Sequence, residues 1–295
     1  MKNETKTVFK GVATAAVTPF SGGRLDLPSF ERILEYQIEN GIKTIVVCGT
    51  TGEASVLSEN EKAELFECAA AVLKGRAVFI AGCGSNDTAR ACRLAALAEK
   101  SGADALLCVT PYYNKATERG LCEHFKCVAA ATELPMILYN VPSRTGVDVP
   151  VTVYNALAAV ENIVGIKEAS GSVGKSAVLL SLFSDRYSLY SGCDDITLPL
   201  YSLGAVGTVS VLSGVFPRES IEIYRLSTVG DYSAAARLFA RLLPFTKALF
   251  SETNPVPVKT VLSEMGLCRP EFRLPLSEME EKKKKKLLSE FEKLL

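Results

Sequence analysis

Residues 162–170 read NIVGIKEAS. Three branched apolar side chains, Ile163, Val164 and Ile166, lead into Lys167, and the small residues Ala169, Ser170 and Gly171 follow. A short apolar run bounded by small residues reads as a buried strand of a parallel sheet, here with a lysine at its C-terminal end. Lysine is rarely buried. When it is, desolvation disfavours its charged form and frees the amine to act as a nucleophile. The alternative is a lysine whose flexible stem carries its charge to solvent. The surrounding chain has to decide between the two.

Outward from this strand the pattern repeats. Apolar runs at 12–17, 44–48, 77–81, 105–109, 136–139, 163–167, 187–191 and 205–211 alternate with helix-like stretches. Those stretches lie at 27–40, 58–74, 87–101, 117–131, 150–159, 172–184, 195–203 and 217–228. Pro28 suits a first helical turn and Gly41 a helix end. Ser58 followed by Glu61 is a capping box. Eight strand–helix units are the count of a (β/α)8 barrel, the TIM barrel of the α/β class. An open doubly wound sheet uses the same alternation and competes with it. Further helices are expected at 232–250, 255–265 and 277–295. Residues 1–229 therefore read as a catalytic barrel and 230–295 as a helical extension packed on it. The lysine run 282–286 follows Glu278, Glu280 and Glu281 and reads as a solvated helix face.

Composition narrows the function classes. Lys and Arg total 33 and Asp and Glu total 33 in 295 residues. A neutral chain gives no electrostatic ground for nucleic acid or an anionic membrane as partner. No apolar run reaches membrane-spanning length. The polar start, MKNETKTVFKG, lacks the apolar core of a secretory signal. Nine cysteines without a CxxC pair read as reduced thiols of a cytoplasmic protein. The single histidine, His124, lies near Glu123 and Lys126 and reads as a helix-surface residue. One histidine and no cysteine cluster leave no expected metal site, and a histidine-based triad would need His124 itself. Lysine, tyrosine and carboxylates remain for any acid–base work.

In a barrel, residues just past each strand's C-terminal end share one mouth. Here those residues are Thr18-Pro19-Phe20, GTTGEAS at 49–55, TPYYN at 110–114, YNVPSRTG at 139–146, Lys167, and Ser191-Gly192. The set is chemically coherent. Lys167 can condense with a ketone to give a Schiff base, an electron sink for carbon–carbon bond chemistry. Tyr139 can relay protons, Thr50 and Thr51 can pass protons or bind a carboxylate, and Arg144 offers a planar cationic fork for a carboxylate. Each alone has a plain structural reading, as a core tyrosine or a turn before a helix. Residues 169–176, ASGSVGKS, approach the phosphate-loop pattern after a strand, but Ala169 replaces the first glycine and no magnesium partner is evident. Asp194 and Asp195 read as helix-start residues.

At these residues the chain resembles the dihydrodipicolinate synthases, or 4-hydroxy-tetrahydrodipicolinate synthases. These belong to the lysine-dependent aldolase group that includes N-acetylneuraminate lyase. The markers are GTTGE at 49–53, TPYYN at 110–114, YNVPSRTG at 139–146, GIKEAS at 165–170 and NPVPVK at 254–259. The resemblance runs over nearly the whole chain. It implies condensation of pyruvate with L-aspartate 4-semialdehyde on the route to diaminopimelate and lysine. No cofactor is implied beyond the covalent imine. Lys167 matches the Schiff-base lysine, and Tyr139, Thr50 and Tyr113 match a proton-relay triad. Arg144 matches the arginine that binds the semialdehyde carboxylate, Thr51 a neighbour of the pyruvate carboxylate, and Gly192 and Val209 main-chain neighbours of the substrate. The tyrosine at the place of Tyr113 reaches into the neighbouring subunit, which implies a homodimer or a homotetramer of two dimers.

Two departures stand out. Cys193 replaces the Asp or Asn usual after SG. Asn86 and Tyr112 match a lysine-inhibition site, but Arg90 stands where lysine-sensitive members carry Glu. A cation there repels ammonium groups, so weak or absent lysine inhibition is expected. The competing functions are a sister lyase or aldolase acting on a sialic acid or keto-deoxy sugar acid, and a silent keto-acid-binding barrel. Arg144 suits the short substrate carboxylate of the synthase, and the full set Lys167, Tyr139, Thr50 and Tyr113 argues against a silent barrel.

Overall fold

The structure is a computed structural model that describes residues 7–295. The start of the polar N-terminal stretch, residues 1–6, lies outside the described residues. Eight strands form the core: β1 (Gly11–Ala15), β2 (Thr44–Val47), β3 (Val78–Gly82), β4 (Ala105–Val109), β5 (Met136–Asn140), β6 (Ile163–Glu168), β7 (Ser188–Ser191) and β8 (Gly207–Ser210). Every neighbouring pair is parallel, and β1 bonds to both β8 and β2, so the sheet closes on itself. That closure decides for the barrel over the open sheet.

The connecting helices are α1 (Leu27–Glu39), α2 (Glu59–Leu73), α3 (Thr88–Lys100), α4 (Glu118–Ala130), α5 (Val151–Leu157), α6 (Val173–Phe183), α7 (Thr197–Leu203) and α8 (Pro217–Thr228). Local chemistry sets their ends. Pro28 sits in the first turn of α1, and Gly41 just beyond it takes φ +92. Ser58 and Glu61 form the reciprocal capping box of α2, worth about 1 kcal/mol. Beyond the barrel lie α9 (Tyr232–Ala248), α10 (Val256–Glu264) and α11 (Glu281–Glu292). α9 packs against α8, and α11 against α9 and α10. The last helix starts at Glu281 rather than 277, and its lysines are mostly exposed.

Two elements were not expected. A two-stranded hairpin, Phe20–Ser21 with Arg24–Leu25, turns on Gly22 and Gly23, both at positive φ. A one-turn helix, Pro142–Thr145, interrupts YNVPSRTG and ends at Gly146 with φ +70. It carries Arg144.

The barrel has two apolar regions. Small and branched residues such as Ala13, Ala15, Val46, Ile80, Ala105 and Ile137 fill the interior. Tyr190 closes one part of it, stacked on Phe9 with ring centroids 4.3 Å apart and its hydroxyl donating to the Phe9 carbonyl at 3.2 Å. The other, larger region lies between the strands and the helix layer. Burial on both faces explains why the strands read as continuous apolar runs.

His124 corrects a reading from sequence. It lies on α4 but is 5% exposed, not on the surface. Its Nδ1 shares a 2.9 Å hydrogen bond with the Thr88 hydroxyl of α3, and its Nε2 is buried without a protein partner. Neighbouring charges Glu123 and Lys126 sit on the exposed face, one position to either side of the buried stripe. Burial lowers the His124 pKa to about 4. The unfolded chain thus takes up a proton near pH 6.5 that the folded chain refuses until about pH 4. Acidification through that window should remove up to about 3 kcal/mol of stability. Denaturant midpoints at pH 7 and pH 5 should converge in His124→Gln. Glu61, held down to about 2 by Arg273, acts in a lower window, between its ordinary carboxylate range and about pH 2, and leaves that comparison intact.

Candidate active site

The decisive geometry is a row of register partners. Tyr139 of β5 pairs with Lys167 of β6, Val109 of β4 pairs with Tyr139, and Lys167 pairs with Tyr190 of β7. Side chains alternate across a strand, so Tyr139 and Lys167 point into the barrel while their successors point out. The Lys167 Nζ lies 4.0 Å from the centroid of the Tyr139 ring. Lys167 is 6% exposed, which excludes the solvent-reaching alternative.

The outward successors lock the pair. Asn140 Nδ2 donates to Glu168 Oε2 at 2.9 Å and to Asp148 at 2.8 Å, and Asn140 Oδ1 accepts from the Val149 amide at 3.0 Å. Glu168 Oε1 also accepts from the Ser170 amide at 2.6 Å. Buried polar groups satisfied this fully hold one register.

Gly192 lies against the lysine. A Cβ there would stand 2.6 Å from the Ala169 Cβ and 3.0 Å from the Lys167 Cε. Gly192→Ala should lower kcat about 100-fold by displacing the lysine tip, since ångström-scale misplacement costs that much. Steady-state rates with a denaturation check test this, and an unchanged kcat contradicts it. Val209 is buried in the interior on β8, two strands from Lys167.

A cavity of ≈ 290 Å³ opens beside this row, lined by Thr50, Tyr139 and Arg144 among others. Lys167 is not among its lining residues. Thr51 is buried and its hydroxyl accepts from Asn254 Nδ2 at 2.9 Å. Arg144 donates to the Asn254 carbonyl at 3.1 Å. Tyr113 stands apart from the other expected residues. It is 91% exposed, in a left-handed backbone conformation with φ +72, so a single chain does not bring it to Tyr139 and Thr50.

Sequence reasoning missed the support from the C-terminal region. Glu53, the last residue of GTTGE, takes φ +54. Its carboxylate meets Lys259 of α10 at 2.7 Å, with both side chains fully buried. The Lys259 Nζ also lies 4.3 Å from the Phe20 ring and 5.0 Å from the Phe272 ring. Burial lowers the Lys259 pKa, against the opposing pull of Glu53. Asn254 and Lys259 thus tie NPVPVK to the loop that carries Thr50 and Thr51. One signal was available: Lys259 is the one charged residue in the stretch VPVKTV, Val256 to Val261.

Asp194 has a structural task. Its Oδ2 accepts from the amides of Val211 and Leu212 at 2.9 Å each, pinning the turn after β8. Asp194 and Asp195 open a short 3-10 turn, as helix-start residues do. The Cys193 thiol beside them is pushed up to about 11, chiefly by burial, so it is a poor nucleophile at neutral pH. All nine cysteines are free. Among the described residues no cluster suited to a metal ion occurs, and no helix is long and apolar enough to cross a membrane.

The sequence profile of the Dihydrodipicolinate synthetase family matches residues 8–294. The chain belongs to this family. A 4-hydroxy-tetrahydrodipicolinate synthase of Endomicrobium trichonymphae is 43% identical over 281 residues, covering 95% of this chain and 96% of the relative. The crystal structure of dihydrodipicolinate synthase from Aquifex aeolicus superposes with a TM-score of 0.95 at 41% identity, covering 97% of this chain and 98% of that one. The Acinetobacter baumannii dihydrodipicolinate synthase, solved in complex with pyruvate, superposes with a TM-score of 0.93 at 41% identity over 96% of this chain and 98% of that one.

Proposed function

We propose that this chain is a 4-hydroxy-tetrahydrodipicolinate synthase, a lyase of lysine and diaminopimelate biosynthesis. The observation that carries the mechanism is the buried Lys167 amine held over Tyr139 by strand register. The Lys167 amine attacks the keto carbon of pyruvate, and water leaves as the imine forms. Loss of a proton from the adjacent methyl gives an enamine. That carbon attacks the aldehyde of aspartate 4-semialdehyde, and the resulting alkoxide takes up a proton. The amino group of the added fragment then attacks the imine carbon, closing the ring and releasing the lysine.

The residues have distinct roles in this reading. Tyr139, with Thr50 in the same cavity, relays the protons. Arg144 faces that cavity and binds the semialdehyde carboxylate as a planar fork. Thr51, held by Asn254, lies by the pyruvate carboxylate, and Gly192 and Val209 supply main-chain neighbours. Tyr113 completes the relay from a second copy of the chain, which its 91% exposure supports. The catalytic unit is then a homodimer or a tetramer of dimers, acting in the cytoplasm without a metal or other cofactor. Residues 1–229 form the catalytic barrel in this reading, and 230–295 the extension packed on it.

The sister reading, a sialic-acid or keto-deoxy sugar-acid lyase, is not favoured by these relatives. The deciding assay couples the reaction to a dihydrodipicolinate reductase. Turnover with pyruvate and aspartate 4-semialdehyde is expected. Cleavage of a sugar acid without that condensation would overturn the assignment.

A further inference from the structure

Asn254 stands just before Pro255 and α10, the helix whose Lys259 pairs with Glu53. Its backbone is thereby set against the loop of Thr50 and Thr51. It lines the cavity together with Arg144 and is 6% exposed. The two ends of its carboxamide are unequal. Nδ2 donates to Thr51 Oγ1 at 2.9 Å. Oδ1 is buried and, among the described residues, has no hydrogen-bond partner. Leaving a buried carbonyl oxygen unpaired is costly, and a leucine of similar size would avoid that cost. The side chain makes one hydrogen bond in return, and that bond goes to a residue of the substrate site.

The direction of that bond matters. A carboxamide nitrogen only donates, whereas a hydroxyl accepts twice and donates once. Thr51 therefore accepts from Asn254, and its own proton is not spent on the protein: among the described residues its hydroxyl makes no other hydrogen bond. We propose that Asn254 is a positioning residue that fixes the Thr51 hydroxyl as a donor to the carboxylate of the keto-acid substrate. The proposal rests on the reading that places Thr51 beside the pyruvate carboxylate. A carboxylate only accepts, so it is matched by a hydroxyl whose proton faces it. An acceptor in place of Nδ2 would draw that proton inward and turn the hydroxyl lone pairs toward the carboxylate. The side chain of Asn254 acts on Thr51 alone. Arg144 is held at 3.1 Å by the Asn254 backbone carbonyl, which a side-chain substitution leaves in place.

Borohydride trapping of the full chain over a range of pyruvate concentrations tests it, since it reads the keto acid without the second substrate. The half-saturating pyruvate concentration should rise about tenfold in Asn254→Leu and further in Asn254→Asp, the scale of one hydrogen bond to a charged group. The adduct at saturating pyruvate should stay that of the native chain, because Lys167 is untouched. Thr51→Val should raise the same concentration about tenfold, and adding Asn254→Leu to it should change nothing more, because the hydroxyl that Asn254 directs is gone. Asn254→Asp keeps the size of the side chain and carries the test if Asn254→Leu does not fold. An unchanged pyruvate dependence in folded Asn254→Leu or Asn254→Asp overturns the positioning role. So do effects of Thr51→Val and Asn254→Leu that add in full, since damage to packing alone would not need the Thr51 hydroxyl. A native chain that traps no pyruvate overturns the reading of Lys167, and this proposal with it.

Discussion

Lys167→Ala is expected to lower kcat by about 10⁴-fold or more, as removal of a covalent nucleophile does. The fold should survive. Lys167 lies at the end of β6, and its removal leaves the backbone ladder of that strand untouched. The lost contact with the Tyr139 face costs roughly 1–2 kcal/mol. No other lysine can take over by position. Lys259 is committed to Glu53. Lys175 pairs with Asp148 and donates to the Val149 carbonyl outside the barrel. Lys62 is a buried residue of α2. Steady-state rates beside a chemical denaturation curve separate catalysis from folding. Retention of more than a few per cent of activity in folded Lys167→Ala would contradict the role.

Lys259→Met should destabilise the chain by about 3–5 kcal/mol, because it leaves the Glu53 carboxylate buried without its counter-charge. The variant should lose activity too, since Glu53 anchors the loop of Thr50 and Thr51 in its left-handed turn. The double variant Glu53→Gln with Lys259→Met should recover much of the stability, because it removes both charges together. Urea midpoints of the three variants check this. A double variant no more stable than Lys259→Met alone would show that the ion pair is not what holds the loop.

The barrel was legible because its strands are buried on both faces, so eight apolar runs stood out between capped helices. Most element ends within the barrel shifted by a residue or two, as where the cap Ser172 flanks its helix, while the last helix begins later than expected, at Glu281. The hairpin was signalled by Gly22-Gly23 but is too short for an apolar period. Lys167, Tyr139, Thr50 and Arg144 stood out as candidates because they lie at, or just past, the C-terminal ends of strands. Their mutual placement was not, since the Tyr139–Lys167 register depends on a bulge near Met136 and Ile137. His124 was misread because one helical step separates an exposed Glu123 from a buried neighbour. The Glu53–Lys259 pair spans 206 residues, and nothing local in either motif announces the other.

Borohydride reduction in the presence of pyruvate, followed by peptide mapping in a mass spectrometer, tests the central assignment most directly. The account predicts one reduced pyruvate adduct per chain, on the peptide that carries Lys167, absent from Lys167→Ala. An adduct on Lys62 or Lys259 instead, or none at all, would contradict it.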